Sequence, residues 1–225
     1  MSLSTAPIPT KPASPLHEPW QVFGLLAPSN PDNLLLEHIL QRVVANKITH
    51  AKFCNTLSMM EHIGSRKIMA THSHGLQPDK DVLQHLAEEA RHAFFFKRQA
   101  EKLAEKSLGW ENDELLAASA ARLYFARLDA TVNRLVQKNR SQHITRTCYL
   151  LVTGLVEVRA VWAYQQYTPS EFSLAGLLQE EEGHLTDVAR ELLPLDPDYQ
   201  LMQQAYTAET LLYRKLAASL SKALS

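Results

Sequence analysis

The chain has 225 residues, 45% of them hydrophobic, and its 23 basic and 24 acidic side chains leave a formal net charge of −1. That length allows a sizeable core, and the near-neutral balance removes any long-range pull toward nucleic acid or an acidic membrane. Seven glycines and abundant Ala, Leu, Glu, Gln and Lys favour an all-α fold.

Residues 1–31 carry seven of the eleven prolines. This excludes helix there and predicts an extended arm, with Trp20, Phe23 and Leu25 available to pin its end to the body. From Asp32 onward a single helical domain, 32–225, is expected. Breakers and apolar periodicity divide it into seven helices at about 31–45, 46–73, 78–109, 112–139, 141–167, 168–193 and 196–225. Gly75 is placed to close the second helix and Ser141 to cap the start of the fifth. Thr168 to Glu171 reads as a capping box opening the sixth, with Pro169 at its first position.

The apolar run 148–164 is interrupted by Glu157 and Arg159 and does not read as a membrane span. No basic start followed by an apolar stretch marks a secretory leader. Cys54 and Cys148 lack a C-x-x-C partner and read as small core residues, which points to a reducing, cytoplasmic setting. Arg134, Lys138, Arg140 and Arg146 lie close together, a grouping that suits a solvated helix end better than a nucleic-acid patch.

An internal repeat carries the chemistry. Ile48-Thr49 stands thirteen residues before Glu61, and Ile144-Thr145 thirteen before Glu157. Glu-x-x-His then occurs at Glu89–His92 and at Glu181–His184, within similar surroundings. On a helix, residues three apart share a face, so both side chains of each motif can reach one metal ion. The motif alone is weak; its position is more informative. Gly75 lies midway between Glu61 and Glu89, and Pro169 midway between Glu157 and Glu181. If each helix pair folds back on itself, each glutamate pair meets at one height, roughly 18–21 Å from its turn.

All four glutamates also lie on core-facing stripes. Around Glu181 the neighbours three, four and seven away are apolar apart from His184, and no Lys or Arg interrupts the four stripes. Buried, unpaired carboxylates cost several kcal/mol each after relaxation, in rough terms. Two divalent cations would neutralise the four charges, with neutral histidines completing the coordination. Glu88, Glu180 and Glu182 point about 100° away from this stripe and receive no metal role. His62 faces away as well, His72 and His74 sit at the turn where solvent is expected, and His85 and Tyr164 read as core residues, with a place beside the metal ligands as the alternative for both and a substrate-facing one for His85. Ser58, Ser65, Thr153 and Gly154 are small residues where access could open.

Glu61, Glu157 and the paired Glu89–His92 and Glu181–His184 resemble the ferritin-like di-iron carboxylate superfamily over about 46–107 and 141–193. Segments 88–96 and 157–184 resemble its oxygen-activating branch, which includes arylamine N-oxygenases, aldehyde-deformylating oxygenases and tRNA hydroxylases. The resemblance implies a ferritin-like four-helix bundle with about three additional helices. It implies two iron ions, with manganese as the alternative. Glu61 and Glu157 would be terminal ligands, Glu89 and Glu181 would bridge, and His92 and His184 would each bind one metal. It further implies an oxidoreductase that takes O2, a small organic substrate and electrons from an external donor, and it leaves a homodimer open. Two other readings compete: an iron-handling or peroxide-reducing protein without organic substrate, and a metal-free helical interaction module.

Overall fold

A computed structural model describes residues 31–74, 77–139, 141 and 143–224. The proline-rich arm with Trp20, Phe23 and Leu25, the Gly75 cap and Arg140 lie outside the described residues, as does the side chain of His74. Among the described residues there are seven α-helices and no strand: α1 Pro31–Val44, α2 Lys47–His74, α3 Lys80–Ala104, α4 Ala118–Lys138, α5 Ile144–Gln166, α6 Ala175–Leu192 and α7 Gln200–Ala223, with a short 3₁₀ turn at Asn112–Glu114.

Side-chain caps set three of the seven helix starts. Asn46 Oδ1 accepts from the backbone of Ile48 and Thr49 at 3.0 Å each, capping α2. Asp79, in extended conformation, accepts from Val82 at 2.9 Å and caps α3. The Asp196 carboxylate takes the backbone N–H groups of Leu201 and Met202 in the first turn of α7. Helix α3 stops at a left-handed Glu105 (φ 54°), whose carboxylate pairs with Lys47 across the hairpin.

Three sequence expectations are corrected. Helix α3 ends at Ala104, short of 109, because 105–117 is tied across the hairpin. Asn55 donates to the carbonyls of Gly109 and Glu114, Lys97 to that of Gly109, and Thr56 Oγ1 accepts from Leu116. Helix α5 begins after His143, with Ser141 two residues further out, receiving His143 N–H at 3.4 Å. The Thr168–Glu171 capping box does not open α6, which starts at Ala175. Phe172 packs against the rings of His50, Phe95 and Tyr167, so the chain stays non-helical over 167–174 to bury it. Tertiary burial outweighs the local cap signal.

The hairpins α2/α3 and α5/α6 are the most extensively packed pairs, and they meet through α3 with α6 and α2 with α5. Helices α1, α4 and α7 form a wall, α4 lying on both α5 and α7. Leu128, Val132 and Val136 of α4 and Met202 and Ala205 of α7 are fully buried. Burying apolar area at about 25 cal/mol per Å² is the main term holding this wall in place. Between α5 and α7 lies a buried ion pair, Arg159–Glu209, at 2.7 Å. No described helix is long and apolar enough to cross a membrane.

Candidate metal centre

Six acid and histidine side chains come together in the middle of the two hairpins. Helix α2 supplies Glu61, α3 supplies Glu89 and His92, α5 supplies Glu157, and α6 supplies Glu181 and His184. A seventh joins them: His85, one turn before Glu89. Ligand atoms of Glu61, Glu89, His92 and Glu181 lie within 4.8 Å of one another, and so do those of His85, Glu89, Glu157 and His184. Glu89 belongs to both groups. Glu181 also spans them, with Oε1 3.1 Å from His92 Nδ1 and Oε2 3.2 Å from His184 Nδ1.

The cluster is dry. Glu181 is 1% exposed and His92 0%, with Glu89 and Glu157 also buried and Glu61 half-buried. Several of its polar atoms nevertheless make no hydrogen bond: His85 Nε2, Glu89 Oε1, His92 Nδ1 and Glu181 Oε1. They are close to one another but misdirected for hydrogen bonding. Each lies in a group of ligand atoms within 4.8 Å of one another, close enough to share a cation. A buried polar group without a partner costs about 1–3 kcal/mol, so four in one place ask for an occupant. The donor set of carboxylate oxygens and imidazole nitrogens could hold a metal ion, and the residues fit such a group.

Glu88 and Glu180, which the helical geometry had placed outside the stripe, turn out to belong to the centre. Glu180 Oε2 lies 2.7 Å from His92 Nε2, and Glu88 Oε2 lies 2.8 Å from His184 Nε2. A carboxylate only accepts, so each Nε2 carries a proton toward its acid, which leaves Nδ1 of each ring facing the acids of the centre. The pairing is reciprocal: the acid of one hairpin holds the histidine of the other. Arg91 reinforces it, donating to Glu180 Oε1 at 2.7 Å. The sequence signal was the second glutamate in both copies, Glu88-Glu89-x-x-His92 and Glu180-Glu181-x-x-His184.

Other expectations divide. His85 is buried in the cluster, its ring 3.9 Å from that of His184 and its Nε2 3.3 Å from Glu157. Its i−4 spacing from Glu89 was the available clue. Tyr164 donates its hydroxyl to Glu61 Oε1 and so touches the centre. His62 faces Trp110, away from it, as expected. His72 is buried rather than solvated, bonded to the Ile68 carbonyl and edge-on to Tyr149. Cys54 is buried in the core as expected, against the Tyr167 hydroxyl. Ser58 and Ser65 turn their hydroxyls back to the carbonyls of Ala93 and His62 and open no route.

The electrostatics of the protein groups follow from burial and from their mutual charges. Burial raises Glu61 well above the usual carboxylate range, helped by the charges of Glu89 and Glu181. Burial and the charges of Glu157 and Glu89 push Glu181 up to about 7. Burial would raise Glu157 too, but the imidazoles of His184 and His85 beside it hold it well below the usual range. Burial disfavours the histidine cations, yet the carboxylates win: His184 is pushed up to about 12, His85 and His92 to about 9.

Three cavities reach this centre. An outer one of about 380 Å³ runs past Lys67, Thr71, Tyr149 and Thr153 to Glu89 and Glu157. Gly64 lines it, and a Cβ there would come within 3.1 Å of Glu89 Oε2. An acidic groove of about 420 Å³ lies over the opposite side, bordered by His85, Glu88, Glu180, His184, Asp187 and Glu191. An inner, mainly apolar cavity of about 110 Å³ lies against Glu61, Glu89 and Glu157. Comparison with family models, with curated proteins and with solved structures finds no match for this chain.

Proposed function

We propose that this chain is a ferritin-like protein that holds two metal ions, iron before manganese, and uses them with O2 to oxidise a small organic substrate. The observation that carries the reading is the pair of four-residue ligand groups sharing Glu89, buried and drawn from four helices. Two ferrous ions held there would supply electrons and open coordination positions for reducing O2.

The residues divide the work. Glu61 and Glu157 would each help to hold one ion, with Glu89, common to both groups, and Glu181 between them. His92 and His184 bind through Nδ1, oriented by Glu180 and Glu88, and His85 adds a nitrogen on the Glu157 side. Tyr164 keeps a proton on its hydroxyl and gives a hydrogen bond to Glu61, which limits how far that carboxylate can swing. The buried surroundings exclude water and strengthen every charge interaction in the centre. The outer and inner cavities, both touching Glu89 and Glu157, give an organic molecule access and favour an oxidase or oxygenase over an iron-handling protein. Electrons would come from an external donor. The orphaned buried atoms weigh against a metal-free interaction module.

The test is metal content and O2 consumption on protein grown with ample iron. About two irons per chain are expected in the parent. Glu181→Ala and His92→Ala should each lose metal and O2 consumption while keeping their helical circular dichroism. Full metal content in both variants would end this reading.

A further inference from the structure

The inner cavity is closed by helices that contribute nothing to the metal centre. At one end it meets Glu61, Glu89 and Glu157, on α2, α3 and α5. The rest of its wall includes Leu36 from α1, Phe125 from α4, and Leu216 and Leu220 from α7. None of α1, α4 and α7 carries a residue of either ligand group. Their packing turns one face of the centre into an enclosed space.

The polar side chains around this space are committed elsewhere. Arg159 Nε and Nη2 donate to the two Glu209 oxygens at 3.1 and 2.7 Å, and the Tyr124 hydroxyl adds a third bond at 2.7 Å. Tyr213 lies under Arg159, its ring centroid 4.0 Å from Cζ. The Thr56 hydroxyl donates to the Lys52 carbonyl, and Tyr164 donates to Glu61. Arg159 Nη1 and the Tyr213 hydroxyl have no hydrogen bond, but both are buried and present almost no surface to the space. A buried water needs roughly two to four polar partners. Away from the three acids, these side chains do not supply them, and the apolar part of the cavity excludes water.

Size narrows the occupant further. A dry cavity of roughly 150 Å³ accepts benzene or xenon, and this one has about 110 Å³. The outer cavity, at about 380 Å³, is the roomier one for an organic molecule. A polar group brought into the inner space would be buried without a partner, at a cost that a molecule with no polar group avoids.

We propose that the inner cavity is a binding site for an apolar gas, and that its gas is O2, held against the Glu61, Glu89 and Glu157 side of the metal centre. O2 carries no charge and no dipole, so it moves from water into apolar space as other apolar solutes do. The wall of α1, α4 and α7 thereby concentrates O2 beside the centre while keeping water from that face. As a supply for O2 chemistry the cavity rests on the oxygen-activating reading above; as a gas site it does not.

The experiment uses the full chain. Xenon is the probe for the metal-free protein, read by xenon NMR and by crystals under xenon pressure. O2 is the probe for the ferrous-loaded protein, read as the O2 concentration that gives half the maximal rate of O2 consumption. We expect xenon among Leu36, Ala163 and Leu216. Ala163→Leu fills the space from α5, and Leu216→Phe narrows it from α7. Each should lose xenon and raise the half-saturating O2 concentration several-fold, with metal content and circular dichroism unchanged. If Ala163→Leu fails to fold, the milder Leu216→Phe decides. A parent chain that takes no xenon into this cavity overturns the site, and metal uptake in that chain would leave the metal reading intact. An unchanged O2 dependence in a folded variant that has lost xenon overturns the role in O2 supply. Xenon bound in a chain that takes up no metal supports the gas site and removes only its link to O2 chemistry.

Discussion

Glu88 and Glu180 receive the outward nitrogens of His184 and His92, so each ring presents Nδ1 to the centre in a fixed orientation. Removing such an orienting acid typically lowers metal affinity by about 10- to 100-fold. Glu88→Ala and Glu180→Ala are each expected to do so with helix content retained, as read by titration against a competing chelator; unchanged affinity would deny them this role. Gly64 acts by what it lacks. A methyl group there would press on Glu89 Oε2 from 3.1 Å, so Gly64→Ala should reduce metal occupancy with little loss of fold. The two cysteines separate by environment. Burial pushes the Cys54 thiol up to about 12, whereas Cys148 is half-buried and lines the outer cavity. Alkylation of the native protein followed by peptide mapping should label Cys148 long before Cys54. Equal labelling of both would show that the core around Cys54 opens readily.

The pairing of α5 with α7 shows both the reach and the limit of reading elements from sequence. Helical periodicity located seven helices because apolar stripes and breakers are local properties of the chain. The same stripes carried Glu61, Glu89, Glu157 and Glu181 inward together with His92 and His184. What escaped were the particular side-chain partners that packed helices supply to one another. Arg159 looked like a mere interruption of an apolar run, since Glu209 lies 50 residues away. Glu88 and Glu180 looked external because a helical wheel knows its own axis and not the helix packed beside it. Phe172 held back the start of α6 through aromatic rings contributed by α2, α3 and the end of α5. The Arg159–Glu209 pair also makes a stability prediction. Removing one partner of a buried pair typically costs about 3–5 kcal/mol, while replacing both with apolar residues is often close to neutral. Arg159→Leu should therefore lower the denaturant midpoint sharply, and Arg159→Leu with Glu209→Leu should recover most of the loss. A double variant as unstable as the single one would mean that the guanidinium contributes mainly by packing on Tyr213.

Across the molecule, protons and cations compete for the same charges. His85, His92 and His184 are raised above their ordinary value of 6.5, the first two to about 9 and the third to about 12. A raised folded value favours the folded state fully below pH 6.5 and loses that contribution as pH rises through about 9. Glu181, raised to about 7, acts in the same direction from 4.5 upward. Glu157, which is lowered, acts oppositely but only in acid. Chelator-treated protein should therefore melt at a lower temperature at pH 9 than at pH 6.5. Added ferrous or manganous ion must displace those protons, so the temperature gained on loading should grow over the same interval. A gain that shrinks with pH would mean that the ion binds elsewhere.

Neither hairpin owns a complete ligand set. The group around Glu61 needs Glu181 from across the divide, and the group around Glu157 needs His85 and Glu89 from the other side. Under the proposed function, the ions are therefore rivets through the plane where two half-proteins abut. A chain synthesised during metal shortage would keep its helices yet tie that join only through protonated histidines and acids, which loosen as pH rises. It would present itself to proteases as something unfinished, so that metal supply governs how much of the protein survives as well as how much of it works.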